Sequence, residues 1–301
     1  MVTRRGWVLF ISLGIIWGLP YMLIKIAVRE VSPELLVFIR TAGGALLLGP
    51  VAAFKGEFRG ILRHWRAIAA YTIAELAMPW VLLSNAEKSL PSSLSGLLIA
   101  AVPLVGALLA VLTGSDTLDK RRVIGLLLGV AGVAAVVGFA VGHTDLPAAA
   151  SLLGVVVGYA LGPWLLARYL SDLPPMAVVA SSLFLTAVLY APLAALYLPS
   201  GSLSASVIES LVTLTVACTA AAFLVFFALI GEVGPMRATV ITYLNPAVAV
   251  VLGVAVLGES FSWATGVGFI LILGGCFLAT KRVRTSAAGA GAVAMPAVAE
   301  P

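Results

Sequence analysis

The stretch Trp7–Ala27, WVLFISLGIIWGLPYMLIKIA, carries one charge, Lys25, in an otherwise apolar run. A helix of about 20 such residues crosses the roughly 30 Å of hydrocarbon in a bilayer. Arg4 and Arg5 precede the run, as in a secretion signal. It is nevertheless longer than the roughly 7–15 residues of a signal core, and no A-x-A cleavage pattern follows it. It reads as a first membrane span. Working outward, further runs of this kind are expected at about 34–54, 67–86, 93–113, 123–142, 148–168, 175–198, 207–230, 236–257 and 263–280. Ser32-Pro33, Leu90-Pro91, Pro174-Pro175 and Gly234-Pro235 fall between them, where helices break.

The rest of the chain agrees. Hydrophobic residues make up 61% of it and charged residues 10%, with a mean hydropathy of +1.13. About 25% charge is usual for a soluble domain. In lipid the backbone must satisfy its own hydrogen bonds, which leaves helices or a closed barrel. The runs lack the apolar/polar alternation of barrel strands. The expected fold is therefore all-α integral membrane, with ten transmembrane helices. The net charge of +5 suggests topology rather than nucleic acid, because the basic residues cluster in short loops. With the N-terminus inside, 14 of the 18 Lys and Arg residues lie on the inner side, as the positive-inside rule requires. Arg29 and Lys88 lie outside, and Lys25 and Arg40 lie within spans. This places the protein in the cytoplasmic membrane as a multi-pass chain with both termini cytoplasmic. The Ala/Gly-rich segment 285–301 reads as a disordered cytoplasmic tail.

An offset of 143 residues superposes Pro20 on Pro163, Lys25 on Arg168, Thr72 on Thr215 and Pro103 on Pro246. It also superposes Asp116 on Glu259, Gly125 on Gly268 and Gly132 on Gly275. An offset of five spans turns the second copy upside down, giving two inverted five-helix repeats, 1–142 and 143–284. Inverted repeats are a common build for secondary transporters, with the solute near the midplane.

Gly14-Ile-Ile-Trp17-Gly18-Leu-Pro20, then Lys25-Ile-Ala27, Pro33 and Arg40, resembles the first two helices of EamA-type carriers of the drug/metabolite transporter superfamily. Pro103, Asp116, Gly125 and Gly132, with Pro246, Glu259, Gly268 and Gly275, resemble the end of each EamA repeat. The resemblance covers about residues 7–282. It implies ten helices in two inverted repeats and a carrier of small solutes, with most such members exporting amino acids or other metabolites. Glu75 in the third span is not part of that pattern.

Charge within a span is costly, so Lys25, Arg40 and Glu75 are the sharpest candidates for a substrate pathway. Trp17, Tyr21 and Lys25 recur every four residues and share a helix face. Lys25 either attracts an anion there or snorkels to the interface. Glu75 is a candidate proton carrier or amine partner, or a structural partner of Arg40. Arg40 is expected to pair with Glu75 or Glu34. Trp80, Tyr159, Trp164, Tyr243 and Asn245 are weaker pathway candidates, and Ser84 and Asn85 read as solvated. Pro20, Pro79, Pro103, Gly162, Pro163 and Pro246 are candidate helix breaks or hinges. The glycine series Gly14/Gly18, Gly125/Gly129 and Gly154/Gly158/Gly162 reads as close helix packing. Asp116, Asp119 and Glu259 read as helix-start carboxylates.

The expected partners are a small-molecule solute and the lipid bilayer, with proton coupling and oligomeric state open. No cofactor or metal is expected. Cys218 and Cys276 lie in apolar runs and read as buried small side chains. An enzyme is disfavoured: His64 and His143 stand apart, and there is no HExxH or P-loop motif. A non-transporting receptor or assembly subunit is the alternative to a carrier.

Overall fold

The computed structural model describes residues 3–138, 146–234 and 239–280. The tail 285–301 lies outside them, as do Pro235, Arg237 and His143. Among the described residues the chain is helical, without strands. It runs through α1 (Arg4–Ala27), α2 (Pro33–Phe54), α3 (Trp65–Tyr71), α4 (Met78–Ser89), α5 (Ser92–Ile99) and α6 (Val102–Leu112). It continues with α7 (Lys120–Val136), α8 (Leu146–Tyr169), α9 (Pro175–Leu196), α10 (Ala205–Thr215), α11 (Ala222–Val233), α12 (Leu244–Ala255) and α13 (Trp263–Thr280).

Among the described residues, seven helical stretches are long and apolar enough to cross a membrane: α1, α2, Ile61–Ser89, Ser92–Leu112, α8, α9 and Ala205–Val233. Of the other three expected spans, 263–280 coincides with α13, and the described parts of the other two are α7, with 17 residues, and Ile241–Ala255. The outward surface suits lipid, with Leu46, Phe54, Leu196 and Trp263 all largely exposed.

Local sequence explains the starts. Ser32 accepts the amide of Leu35 at 3.1 Å, and Pro33 takes the first turn of α2, where a missing N–H costs nothing. Asp119 caps α7 by accepting the amide of Arg122 at 2.7 Å.

The prolines divide into two kinds. Pro103 opens α6 after the break at Ala100–Ala101, and Pro246 sits in the first turn of α12 after the 3-10 turn Thr239–Tyr243. Pro79 follows a π-helical turn, Thr72–Ala77. Pro20 and Pro163 lie inside α1 and α8, which continue through them unbroken. Membrane helices tolerate this because neighbouring groups re-satisfy the freed carbonyl.

A second π-helical turn, Val216–Ala221, joins α10 to α11. It falls where the repeat offset, to within one residue, carries the first. The two sequence halves pack against each other throughout. α7 lies on α13, α2 on α9, α1 on α12 and on α10–α11, and α8 on α3–α4. The α7–α13 seam is backbone against backbone. A Cβ on Gly275 would stand 2.5 Å from the amide nitrogen of Gly129, and one on Gly132 would stand 2.7 Å from the carbonyl of Gly268. The glycines are there because nothing larger fits.

Candidate functional site

The π-helical turns set the geometry of the interior. A π turn adds a residue to a helix and re-aims the side chains around it. In Ala205–Val233 this turn presents Thr219, whose hydroxyl donates to the carbonyl of Leu214 at 2.8 Å and accepts the Nε–H of Arg40 at 2.8 Å. The guanidinium of Arg40 lies 3.7 Å from the ring centroid of Trp80 on α4, a cation–π contact of the kind Arg favours. Arg40 is 6% exposed. Among the described residues no carboxylate stands within ion-pair distance of it. The expected pairing of Arg40 with Glu75 or Glu34 is therefore corrected: Thr219 and Trp80 hold the guanidinium. Both come from other helices, so spacing along the chain could not point to them. Tyr21, Tyr159 and Cys218 lie within electrostatic reach of Arg40, and Tyr159 also lies beside Trp80 and Glu75.

Glu75 sits in the other π turn. Its Oε2 is buried without a hydrogen-bond partner and occupies the space where a Cβ on Gly162 would stand. Gly158, one turn away, faces the Ala74 carbonyl and Pro79. Glycine on α8 therefore lets α4 and the acid approach. Tyr190 of α9 donates to the carbonyl of Ala77 at 2.9 Å, beside the position where Pro79 removes an N–H.

The shared face of Trp17, Tyr21 and Lys25 meets three different surroundings. Trp17 packs on Phe226 and Phe223, with ring centroids 5.0 and 6.1 Å away. Tyr21 is buried in the core with Ile24 and Leu98. Lys25 Nζ donates to the carbonyls of Glu87 and Leu90, at 2.7 and 2.8 Å. It therefore serves the last turn of α4, where free carbonyls favour a cation. Trp164 meets Tyr169 edge-on at 5.9 Å. The Tyr243 hydroxyl stands 3.4 Å from that of Thr280, and Asn245 has a buried, unpartnered Oδ1.

Two readings change. Ser84 is fully buried and donates to the Trp80 carbonyl at 2.7 Å. Glu259 does not begin its own helix. It accepts the amides of Ser92 and Ser93, at 2.7 and 2.9 Å, and so caps α5. Burial pushes its carboxyl up, but these bonds and the serine hydroxyls outweigh that and hold it below the usual range.

Glu87 was missed. The expected span ended at residue 86, whereas α4 runs to Ser89 and buries Glu87 completely. Trp80, Ser84 and Glu87 follow one another at helical spacing, four and then three residues apart, and that face carries the signal. A surface groove of about 570 Å³ lies elsewhere, between Glu30 and the Leu196–Leu203 loop.

Apolar helices of spanning length define a multi-pass helical membrane protein. The EamA-like transporter family model matches this chain twice, over residues 4–138 and 146–281, and the chain belongs to that family. It is 28% identical over 295 residues to YvbV of Bacillus subtilis (strain 168), named as an uncharacterized transporter, covering 96% of each chain. It is 28% identical over 260 residues to YedA of Escherichia coli (strain K12), named as an uncharacterized inner membrane transporter, covering 83% of this chain and 82% of that one. A solved crystal structure superposes with a TM-score of 0.66 at 23% identity, over 91% of this chain and 96% of the other. That likeness is one of fold.

Proposed function

We propose that this chain is a secondary carrier that exports a small metabolite, an amino acid or a related solute, across the cytoplasmic membrane by alternating access. In this reading it has ten transmembrane helices in two inverted repeats, 1–142 and 143–284, with both termini cytoplasmic. The three shorter helical stretches complete the ten.

One observation carries the site. Arg40 is a buried cation held at Nε by Thr219 and on its face by Trp80, with no carboxylate partner among the described residues. Its terminal nitrogens are the donors for a solute carboxylate, in the fork geometry that arginine offers. Tyr21, Tyr159 and Trp80 form the apolar and hydroxyl-bearing wall beside it. Glu75 receives an amine or a proton. Asn245 and Tyr243 belong to the pathway on the α12 side, and the breaks at Pro103 and Pro246 let each half move. Trp17, packed on Phe223 and Phe226, and Trp164 extend the aromatic wall of the pathway.

The test is flux into proteoliposomes with labelled amino acids and their amide analogues. Saturable flux of acids but not of amides is the expected result. Absence of saturable flux for any compound overturns the carrier reading.

A further inference from the structure

Glu87 has a relative exposure of 0%, and neither of its carboxylate oxygens has a hydrogen-bond partner. It lies at the end of the molecule where α4 turns into α5. Charged and titratable groups approach it from the elements packed there. Lys25 of α1 bonds the Glu87 and Leu90 carbonyls. Glu259, in the connection between α12 and α13, caps α5 and stands within electrostatic reach of Glu87. Tyr21 of α1 and Tyr159 of α8 face it as well, and Arg40 of α2 faces those two tyrosines. From α5 comes the hydroxyl of Ser95.

Charge balance decides the state of Glu87. Lys25 and Glu259 together are neutral. An ionised Glu87 would be a buried negative charge with only the Ser95 hydroxyl and the Lys25 ammonium to offset its desolvation, and such a charge costs several kcal/mol. A protonated Glu87 adds none. This is also where the two sequence halves are tied, by the bonds from α5 to Glu259.

We propose that Glu87 is a proton-binding site coupled to closure of this end of the molecule. With the proton bound, the α4–α5 turn packs against α1 and the Glu259 connection. When the proton leaves to water, the carboxylate can be solvated only if the end opens. The inference rests on the carrier reading in one respect: a carrier must open this end to pass its solute.

The test needs no solute. Ser95→Cys is introduced into the full chain and reacted with a maleimide in nanodiscs, where both faces meet one pH. A Ser202→Cys chain, exposed in the Leu196–Leu203 loop, corrects for ionisation of the thiol itself. The parent, whose Cys218 and Cys276 are buried, supplies the background. The corrected rate at position 95 is expected to rise about tenfold from the acid to the alkaline end of the pH range in which the protein stays folded, the direction that proton linkage gives. Glu87→Gln has the shape of the protonated acid and is expected to keep the rate low throughout. A rise that persists in Glu87→Gln, or no rise in the otherwise wild-type chain, overturns the proposal. If Glu87→Gln does not fold, Glu259→Gln decides: it should raise the rate at every pH, and an unchanged profile overturns the closure. Flux without this pH response would remove the proton site and leave the carrier standing. The response without flux would do the reverse.

Discussion

The two π-helical turns, Thr72–Ala77 and Val216–Ala221, are the same backbone device at corresponding places, carrying opposite chemistry. The first presents a carboxylate, Glu75, pressed against Gly162 of α8. The second presents a hydroxyl, Thr219, that orients the buried Arg40. Duplication set the scaffold twice, and the charges were placed once. The acids near the span ends diverge in the same way. Asp116 pairs with Arg122 of its own half at 2.6 Å, whereas Glu259 reaches across to α5 of the other half.

Breaking the second turn's partner should have the largest effect. Arg40→Ala is expected to reduce flux by roughly 10- to 100-fold, the scale of a charge-assisted hydrogen bond of about 1.5–3 kcal/mol. Arg40→Lys should not restore it, since an ammonium cannot make the same fork over Trp80. Initial rates in proteoliposomes check both. Next is the first turn: Gly162→Ala forces a methyl group into the Glu75 carboxylate and should cost about 1–3 kcal/mol of stability. Adding Glu75→Ala should recover much of this, and a double-mutant cycle on thermal unfolding in detergent measures the coupling. A coupling of zero would mean that the two groups do not touch.

Thr219→Val sharpens the contrast at smaller amplitude. It removes the acceptor at Arg40 Nε and is expected to cost about 1 kcal/mol, read as a several-fold rise in KM, with Thr219→Ser near wild type. The smallest effect concerns Glu259, which sits below the usual carboxylate range and is partly solvent-exposed. A depressed folded-state pKa adds stability above the ordinary carboxylate range and loses it as pH falls through the folded value. The fall in Tm on acidification should therefore be shallower in Glu259→Gln than in wild type.

Much of the frame was legible in the chain. The lengths of the apolar runs, the prolines between them and the 143-residue offset all follow from rules that act locally or at a fixed period. Gly125, Gly129, Gly158 and Gly162 were legible as packing positions, because close approach demands a missing side chain whatever the partner. The site was only half legible. Arg40 and Glu75 stood out, since charge inside a span is rare, whereas Trp80 was one of several weaker aromatic candidates. Their partners did not: Thr219 is an ordinary residue in an apolar run until Arg40 arrives from another helix. Lys25 was recognised as a charge, but not as a donor to the end of α4. Glu87 was lost to an error of three residues at a helix boundary.

The sequence by itself determined that this chain enters a membrane as apolar helices, in two related halves, because hydrocarbon accepts only long apolar helical runs and a duplication leaves its period behind. Only the tertiary structure decided which buried charge is paired, which is held by a hydroxyl or an aromatic face, and which is left without a donor. The groups packed around Arg40, Glu75 and Glu87 come largely from helices distant in the chain, and electrostatic energy depends on distances in space.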